Sequence, residues 1–355
     1  MPATVIVGGQ FGSEGKGKVA YWMAREQGAS AAIRVGGANS GHTVVTPNGI
    51  RHVLRHLPTA ALLPGVQCIL GPGSYIDVDV LESEIEAIGL SPERLHIDPH
   101  AVIVTAEHKE REAKLGLRNR IGSTQSGTGA AVVDRVARGD DVVLAKDVRR
   151  LARFIDQGPA RTIVRQVLNR GERIIVEGTQ GFGLSVLHAE DYPKATSRDT
   201  TASAAAAEAA LAPSDIDNVV MVIRAFPIRV AGDSGYLPNE STWEEVSQSA
   251  GLPPNSLIET TSVTGSVRRV AEFDPGVIRA ALEVNAPNIL VLNHLDYCDA
   301  SVARSGYPSR RVVDFLDNVE RQLGQRVDWV GLDDRSLVPR ATMVHGLVPA
   351  TEGRG

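Results

Sequence analysis

Val5-Ile6-Val7 runs straight into Gly8-Gly9-Gln10-Phe11-Gly12-Ser13-Glu14-Gly15-Lys16-Gly17-Lys18, a β-branched stretch that ends in glycines and then in a helix opening on lysines. The same alternation continues along the chain. Strand-like runs lie at Thr4 to Val7, Ala31 to Val35, Cys68 to Leu70, Ile174 to Val176, Val219 to Ile223 and Ile289 to Leu292. Helical patterns lie at Lys16 to Gln27, Val80 to Ile88, Ala106 to Leu115, Thr201 to Leu211 and Pro275 to Glu283. Strands alternating with helices predict an α/β fold, a mostly parallel central sheet with helices on both faces and large functional loops. No fixed-period repeat and no low-complexity linker interrupts the pattern, so residues 1–355 read as one domain. The Ala-rich stretch from Thr201 to Glu208 reads as a closely packed helix rather than a spacer.

The 355 residues, 43% of them hydrophobic, suffice for a large core. A formal net charge of -5, with no basic tail or stripe, argues against a nucleic-acid-coating protein. No apolar run is long enough to span a bilayer, and no signal peptide precedes the first strand. Cys68 and Cys298 stand far apart in apolar surroundings, which predicts two buried thiols in a reducing cytoplasm rather than a disulfide or a thiolate metal site.

The loop from Gly8 to Lys18 carries the strongest chemical signal. Its glycines let backbone N–H groups close on a phosphate, and the helix that follows adds partial positive charge. It is not the common P-loop, since Gln10 stands where that pattern needs Gly and Gly17 where it needs Ser or Thr. After the second strand comes Gly36-Gly37-Ala38-Asn39-Ser40-Gly41-His42-Thr43, whose glycines would let a histidine approach a ligand as an acid or electrophile. Gly122-Ser123-Thr124-Gln125-Ser126-Gly127-Thr128-Gly129 offers hydroxyls and amides to a phosphate. Glu177-Gly178-Thr179-Gln180-Gly181 leads on to Thr196-Ser197, and the run Thr260 to Arg269 places Arg268 and Arg269 where carboxylates or phosphates could be gripped. So many polar, glycine-rich loops at strand ends point to a ligand site along one edge of the sheet.

Taken in order, GQFGSEGKGK, GGANSGHT, GSTQSGTG, EGTQG with YPKATS, TSVTGSVRR and NHLD closely resemble adenylosuccinate synthetase, from Val5 to about Asp296. That resemblance implies a two-step ligation: a nucleoside triphosphate phosphorylates the purine 6-oxygen, and the amine of aspartate then displaces the phosphate, with Mg²⁺ on the phosphates. It implies that His42 stabilises the 6-oxygen as an acid and that Lys16 neutralises phosphates. Ser13 and Gly41 stand at the Mg²⁺ positions. Ser13, Asn39, Ser123, Thr124, Gln180, Leu184 and Thr196 correspond to contacts with the purine monophosphate, as does Arg138 from across a homodimer interface. Val263, Thr264, Gly265, Ser266 and Arg268 correspond to the aspartate loop. Gly12, Glu14, Gly15, Lys16, Gly17, Lys18, Gly41, His42, Thr43, Arg268, Asn293 and Asp296 correspond to the triphosphate site.

Three departures narrow the expectation. Members acting on inosine monophosphate carry aspartate where this chain has Ser13, and a hydroxyl is too weak a base to replace that carboxylate unaided. Serine opens space beside N1, where guanine carries a 2-amino group and hypoxanthine does not. This pattern resembles the phage branch of the family, the 2-aminoadenylosuccinate synthetases, which join deoxyguanylate and aspartate on the way to 2-aminoadenine deoxynucleotide. Ser266 replaces an arginine near the ribose 2′-hydroxyl, as suits a deoxyribose substrate. Asn293-His294-Leu295-Asp296 and the segment Gly331 to Arg335 lack the stacking lysine and the Ser-Thr-Gly of guanine-reading members, so ATP or dATP is the expected donor. The expected partners are therefore dGMP, L-aspartate and ATP or dATP, with no nucleic acid and no membrane. The alternatives are an ordinary synthetase acting on IMP with GTP, or a non-catalytic purine nucleotide-binding module.

Overall fold

The computed structural model describes residues 2–261 and 265–344. Its strands in chain order are β1 (Ala3–Gly8), β2 (Ala31–Gly37), β3 (His42–Val45), β4 (Arg51–Leu54), β5 (Gln67–Ile76), β6 (Leu95–Ile97), β7 (Val102–Ile103), β8 (Ile174–Glu177), β9 (Ile216–Arg224), β10 (Ile228–Arg229), β11 (Glu240–Ser241), β12 (Arg269–Ala271), β13 (Ile289–Asn293), β14 (Trp329–Val330) and β15 (Val338–Pro339). The main sheet runs β15-β14-β13-β9-β1-β8-β2-β5-β6, with β7 also on β5. Its pairings are parallel except the edge pair β14–β15. All six expected strands are present.

Being buried on both faces, the central strands are nearly continuous apolar runs, and successive residues serve opposite layers. Ile6, Ala32, Ile175, Val220, Val222 and Val291 pack with Val19, Ala20, Met23 and Ala24 of α1 (Lys16–Glu26). On the other face, Val5, Val7, Ile33, Val176, Met221 and Ile223 belong to a second, larger core. That layer holds helices still to be placed at Ala160–Asn169, Ala202–Glu208, Gly276–Asn285 and Arg310–Leu323. Helices on both faces thus match the expectation. In chain order the remaining helices that bear on the site are α2 (Val78–Ile88), α3 (Ala106–Lys114), α4 (Leu117–Ile121) and α5 (Thr128–Ala137).

The Ala-rich helix is shorter than the pattern predicted. Thr201 caps it by accepting from Ala204 N, and it stops at Glu208, just ahead of Ala210 in the left-handed region at φ 60. The amphipathic helix Arg310–Leu323, capped by Ser309 and closed by Gly324, was not among the expected elements. Cys68 and Cys298 are free and buried as expected, and burial pushes both thiols up to about 12. No helix among the described residues is long and apolar enough to cross a membrane.

Candidate active site

Parallel pairing brings the carboxyl ends of β1, β8, β2, β9 and β13 to one edge of the sheet; glycine-rich loops follow β1, β2 and β8, whereas the loop from Gly122 joins α4 to α5. They enclose a cavity of about 660 Å³. Of the expected site residues, Gly12, Ser13, Asn39, Gly41, Ser123, Thr124, Gln180, Leu184, Thr196, Ser266 and Arg268 all line it. These positions span some 250 residues of sequence, and the fold gathers them.

The β1–α1 loop is held shut from within. The Glu14 carboxylate accepts from Gln10 N at 3.1 Å and Gly12 N at 2.8 Å, and from Lys16 Nζ at 2.7 Å. Glu14 and Lys16 are both buried, so the amides and the lysine expected to greet a phosphate face an internal carboxylate in this state. Gly15 caps α1 at φ 88, and a Cβ there would stand 2.8 Å from Asn293 Nδ2, so a side chain is excluded by backbone and by space. The loop from Gly122 to Gly129 repeats the device. Glu112 on α3 accepts from Gly127 N at 2.9 Å, Gly129 N at 2.8 Å and Ala130 N at 3.2 Å, so those amides fix the start of α5 instead of facing the cavity. The hydroxyls of Ser123 and Thr124 remain at the cavity wall.

His42 opens β3 directly after Gly41, which lines the cavity, but His42 itself is not part of that lining. Its Nδ1 lies 2.5 Å from Glu177 Oε1, at the end of β8. Glu177 also receives Arg34 Nη1 at 3.2 Å and Thr59 N at 2.7 Å, and the Thr59 hydroxyl lies 2.9 Å away. Burial works to raise Glu177, but His42, Arg34 and Thr59 outweigh it and hold the carboxyl below its ordinary range. An ionised carboxylate only accepts, so His42 must carry its proton on Nδ1. Burial first, then Arg34, pushes His42 down to about 4 against the pull of Glu177. The expected acid is therefore neutral in this state, and its Nε2 is buried without a partner among the described residues. Arg34 Nη2 donates to Ser40 O at 2.7 Å, which ties the Gly36–His42 loop to the same hub.

Ser13 sits between two guanidinium groups. Arg268 Nη1 donates to its hydroxyl oxygen, and Arg224 Nη1 donates to its carbonyl at 2.9 Å. Arg224, buried at the end of β9, also donates to Glu259 at 2.5 Å, and Glu259 accepts from the Tyr297 hydroxyl at 2.7 Å. Arg269 departs from the expectation. It belongs to β12 and pairs with Glu240 at 2.6 Å, so Arg268 alone of the pair serves the cavity. Ser266 and Gly265 close a turn on Thr261 through Thr261 N to Ser266 O at 2.9 Å and Gly265 N to Thr261 O at 3.0 Å. Val263 and Thr264 lie outside the described residues.

Glu14, Gly15, Lys16, Gly17, Lys18, Thr43, Asn293 and Asp296 do not line the cavity, and Asn293 Nδ2 donates to Glu14 O. Lys18 Nζ donates to Asp333 O at 2.6 Å, and burial pulls Lys18 down to about 8. Gly17 is fixed by Thr59, whose hydroxyl lies 2.8 Å from its carbonyl, and Thr43 follows His42 in β3. Arg138 does not reach the cavity. It forms the left-handed C-cap of α5 at φ 58, next to the exposed Val133 and Val136.

Sequence reading missed Arg34, Glu177 and Arg224 as a supporting frame, although each is a charge inside or ending an apolar strand. That pattern is a usable sign, because a buried charge must be paired. It also missed Arg229, whose guanidinium stacks 4.7 Å from the Phe11 ring at the cavity wall and donates to backbone carbonyls of Tyr236 and Lys194.

A parallel α/β sheet with phosphate-type loops at one edge, a carboxylate-held histidine and converging guanidinium groups defines a nucleotide-binding enzyme. The sequence model of adenylosuccinate synthetase matches residues 5–156 and 144–302, and the chain belongs to that family, a family of C–N ligases. It is 35% identical over 337 residues to the adenylosuccinate synthetase of Pyrococcus sp. (strain ST700), covering 93% of this chain and 95% of that one. It is 36% identical over 331 residues to that of Methanocaldococcus jannaschii, covering 91% and 92%. Among solved structures it resembles the cyanophage S-2L succinoaminodeoxyadenylate synthetase bound to dGMP and dATP as an energy donor, at TM-score 0.80 and 29% identity over 97% of each chain. The fully ligated adenylosuccinate synthetase of Plasmodium falciparum shares the fold, at TM-score 0.81 and 17% identity over 95% of this chain and 99% of that one.

Proposed function

We propose that this ligase joins L-aspartate to the 6-position of dGMP, consuming ATP or dATP and giving 2-amino-2′-deoxyadenylosuccinate, as a single-domain homodimer in the cytoplasm. The observation that carries the reading is Ser13. In a Gly12–Lys18 motif that otherwise keeps the family's residues, this one position beside the cavity offers a small hydroxyl, oriented by Arg268, in place of a carboxylate. The phage relative bound to dGMP and dATP supports both nucleotide assignments.

In this reading the monophosphate lies in the cavity, with its phosphate toward Ser123, Thr124, Gln180 and Thr196 and its purine edge toward Ser13 and Asn39. Arg138 reaches the phosphate from the partner subunit. Arg268 holds a carboxylate of aspartate. Triphosphate binding draws Lys16 from Glu14 onto the phosphates. The arriving negative charge favours protonation of His42, which then donates from Nε2 to the 6-oxygen while Glu177 fixes the ring. Phosphoryl transfer asks mainly for such positioning and charge neutralisation.

The oxygens available to Mg²⁺ from Ser13 and Gly41 are hard but uncharged, a donor set suited to an ion held chiefly by substrate phosphates. Among the described residues no cluster of three His, Cys, Asp or Glu side chains offers an all-protein cage. Gly41 O, and Ser13 Oγ once released by Arg268, would complete the shell. When bound, Mg²⁺ supplies charge neutralisation on the phosphates.

A second reading, an ordinary synthetase acting on IMP with GTP, is favoured by the archaeal adenylosuccinate synthetases among its relatives. A matrix of dGMP, GMP, dIMP and IMP against ATP, dATP and GTP, read by phosphate release, separates the two. Fastest turnover with dGMP supports the proposal, and fastest turnover with IMP and GTP replaces it with the second reading.

A further inference from the structure

The end of β13 and the turn after it carry two buried oxygens that have no hydrogen-bond partner among the described residues, Asn293 Oδ1 and Asp296 Oδ1. The rest of the Asn293 amide is committed, since Nδ2 donates to Glu14 O at 2.8 Å and so fixes this turn against the β1–α1 loop. The backbone of Gly331 closes on this turn, since a Cβ there would overlap both Asn293 Oδ1 and Lys18 Nζ.

The charged surroundings of Asp296 are Lys18 from α1, Arg224 from β9 and Asp333 from the C-terminal segment, with Asp334 beside Lys18. Its own turn adds His294, Tyr297 and Cys298. Neither cation pairs with it. Lys18 Nζ donates to the Asp333 carbonyl, and Arg224 donates to Ser13 and Glu259 while its Nε has no hydrogen-bond partner among the described residues. A carboxyl left this way in a low-dielectric cluster favours its neutral form. Burial, with Asp333 adding and Lys18, the residue's own backbone N–H and Arg224 opposing, pushes Asp296 up to about 7.

The two forms of a carboxyl read different bases. A carboxylate only accepts, and so matches the N1–H and 2-amino donors of guanine. A carboxylic acid donates with one oxygen and accepts with the other, and so matches N1 and the 6-amino group of adenine. We propose that Asp296 reads the base of the triphosphate as a neutral acid, its O–H donating to adenine N1 and its carbonyl oxygen accepting from the 6-amino group, so that its protonation sets adenine over guanine. This rests on the assignment of the Lys18–Asn293–Asp296 cluster to the donor base and on ATP or dATP as donor.

The test is the ratio of kcat/KM for ATP over GTP between about pH 6.5 and about pH 8.5, with the monophosphate turned over fastest. Both donors carry the same triphosphate, so its own titration cancels in the ratio. The ratio is expected to favour ATP at the acid end and, because the neutral-to-ionised ratio of one carboxyl changes tenfold per pH unit, to fall by about 100-fold across that range. Asp296→Asn presents an N–H and a carbonyl at every pH, and so keeps the adenine preference while flattening the profile. Independently of any variant, binding of a non-hydrolysable ATP analogue to the wild type at about pH 8 should take up close to one proton, read from the buffer dependence of the binding enthalpy. A flat wild-type ratio that favours ATP throughout, or no proton uptake, overturns the proposal. A GTP preference at every pH overturns instead the donor assignment on which it stands.

Discussion

Replacing Glu177 with glutamine tests whether one buried carboxylate organises the groups around His42. The isostere keeps the shape and removes the charge. Glu177 takes His42 and Arg34 on Oε1, and the Thr59 amide and hydroxyl on Oε2. In Glu177→Gln one of those oxygens becomes an NH₂ group, and in either orientation it faces donors. Arg34, also buried, keeps its charge and loses the only carboxylate it pairs with among the described residues. Breaking a buried pair from one side costs about 3–5 kcal/mol. For a chain of this length that corresponds to a fall in Tm of about 4–7 °C, measurable by calorimetry. Turnover is expected to drop at least about tenfold, because His42 loses its orienting partner. The double variant with His42→Asn should lose less than the two single losses combined, because both act through one ring. A Glu177→Gln enzyme within about 1 kcal/mol of wild-type stability and with full turnover would refute this account of Glu177.

Three further outcomes follow, the first two from the proposed function and its homodimer and the third from the fold. His42→Asn should lower kcat by roughly 10² or more with little change in monophosphate binding by calorimetry, and near wild-type turnover would remove His42 from the chemistry. Arg138→Ala should raise KM for the monophosphate in an intact dimer, and mixing it with His42→Asn should restore activity through hybrid sites; hybrid dimers without recovery would exclude a shared site. Burial, then Arg34, pushes His56 down to about 3, and its Nε2 accepts from Asp77 N at 3.1 Å, so the fold requires the neutral ring. Because the folded value lies below the unfolded one near 6.5, stability is lost as pH falls below about 6.5, by about 2 kcal/mol for this group at about pH 5. His56→Gln should remove that increment from the loss seen in urea unfolding between about pH 7 and about pH 5, and an unchanged loss would clear His56 of the role.

The local signals in the sequence were strong where one residue type does one job. β-branched runs located β1, β2, β8, β9 and β13, the first three of them running into glycine, and the segments that follow them converge as the parallel arrangement requires. What pairing decides was not legible. Nothing near Val5 says that β1 lies between β8 and β9, and strands of two or three residues such as β10 and β12 exist only through their neighbours. Loop composition also overstated the free amides: Glu14 occupies Gln10 N and Gly12 N from within its own loop, and the other carboxylate comes from elsewhere. Glu112 closes on Gly127 and Gly129 from a different helix, and only the fold reveals it. The contrast between Arg268 and Arg269 was illegible for the same reason, since Glu240, far away in sequence, claims the second.

The guanine reading rests on Ser13, and one ratio tests it most directly: kcat/KM for dGMP over dIMP, in wild type and in Ser13→Asp. A carboxylate at position 13 would crowd the 2-amino group, supply a base for hypoxanthine and draw Arg268, which now donates to the serine hydroxyl. The account predicts that wild type uses dGMP well and dIMP poorly. It predicts that Ser13→Asp lowers the ratio by a factor on the order of 10 to 10³, as one contact of about 1–4 kcal/mol implies. Ser13→Ala, which keeps the space and loses the hydroxyl, should retain the preference at a reduced rate. A wild-type enzyme that prefers dIMP, or a ratio that Ser13→Asp leaves unchanged, would contradict it.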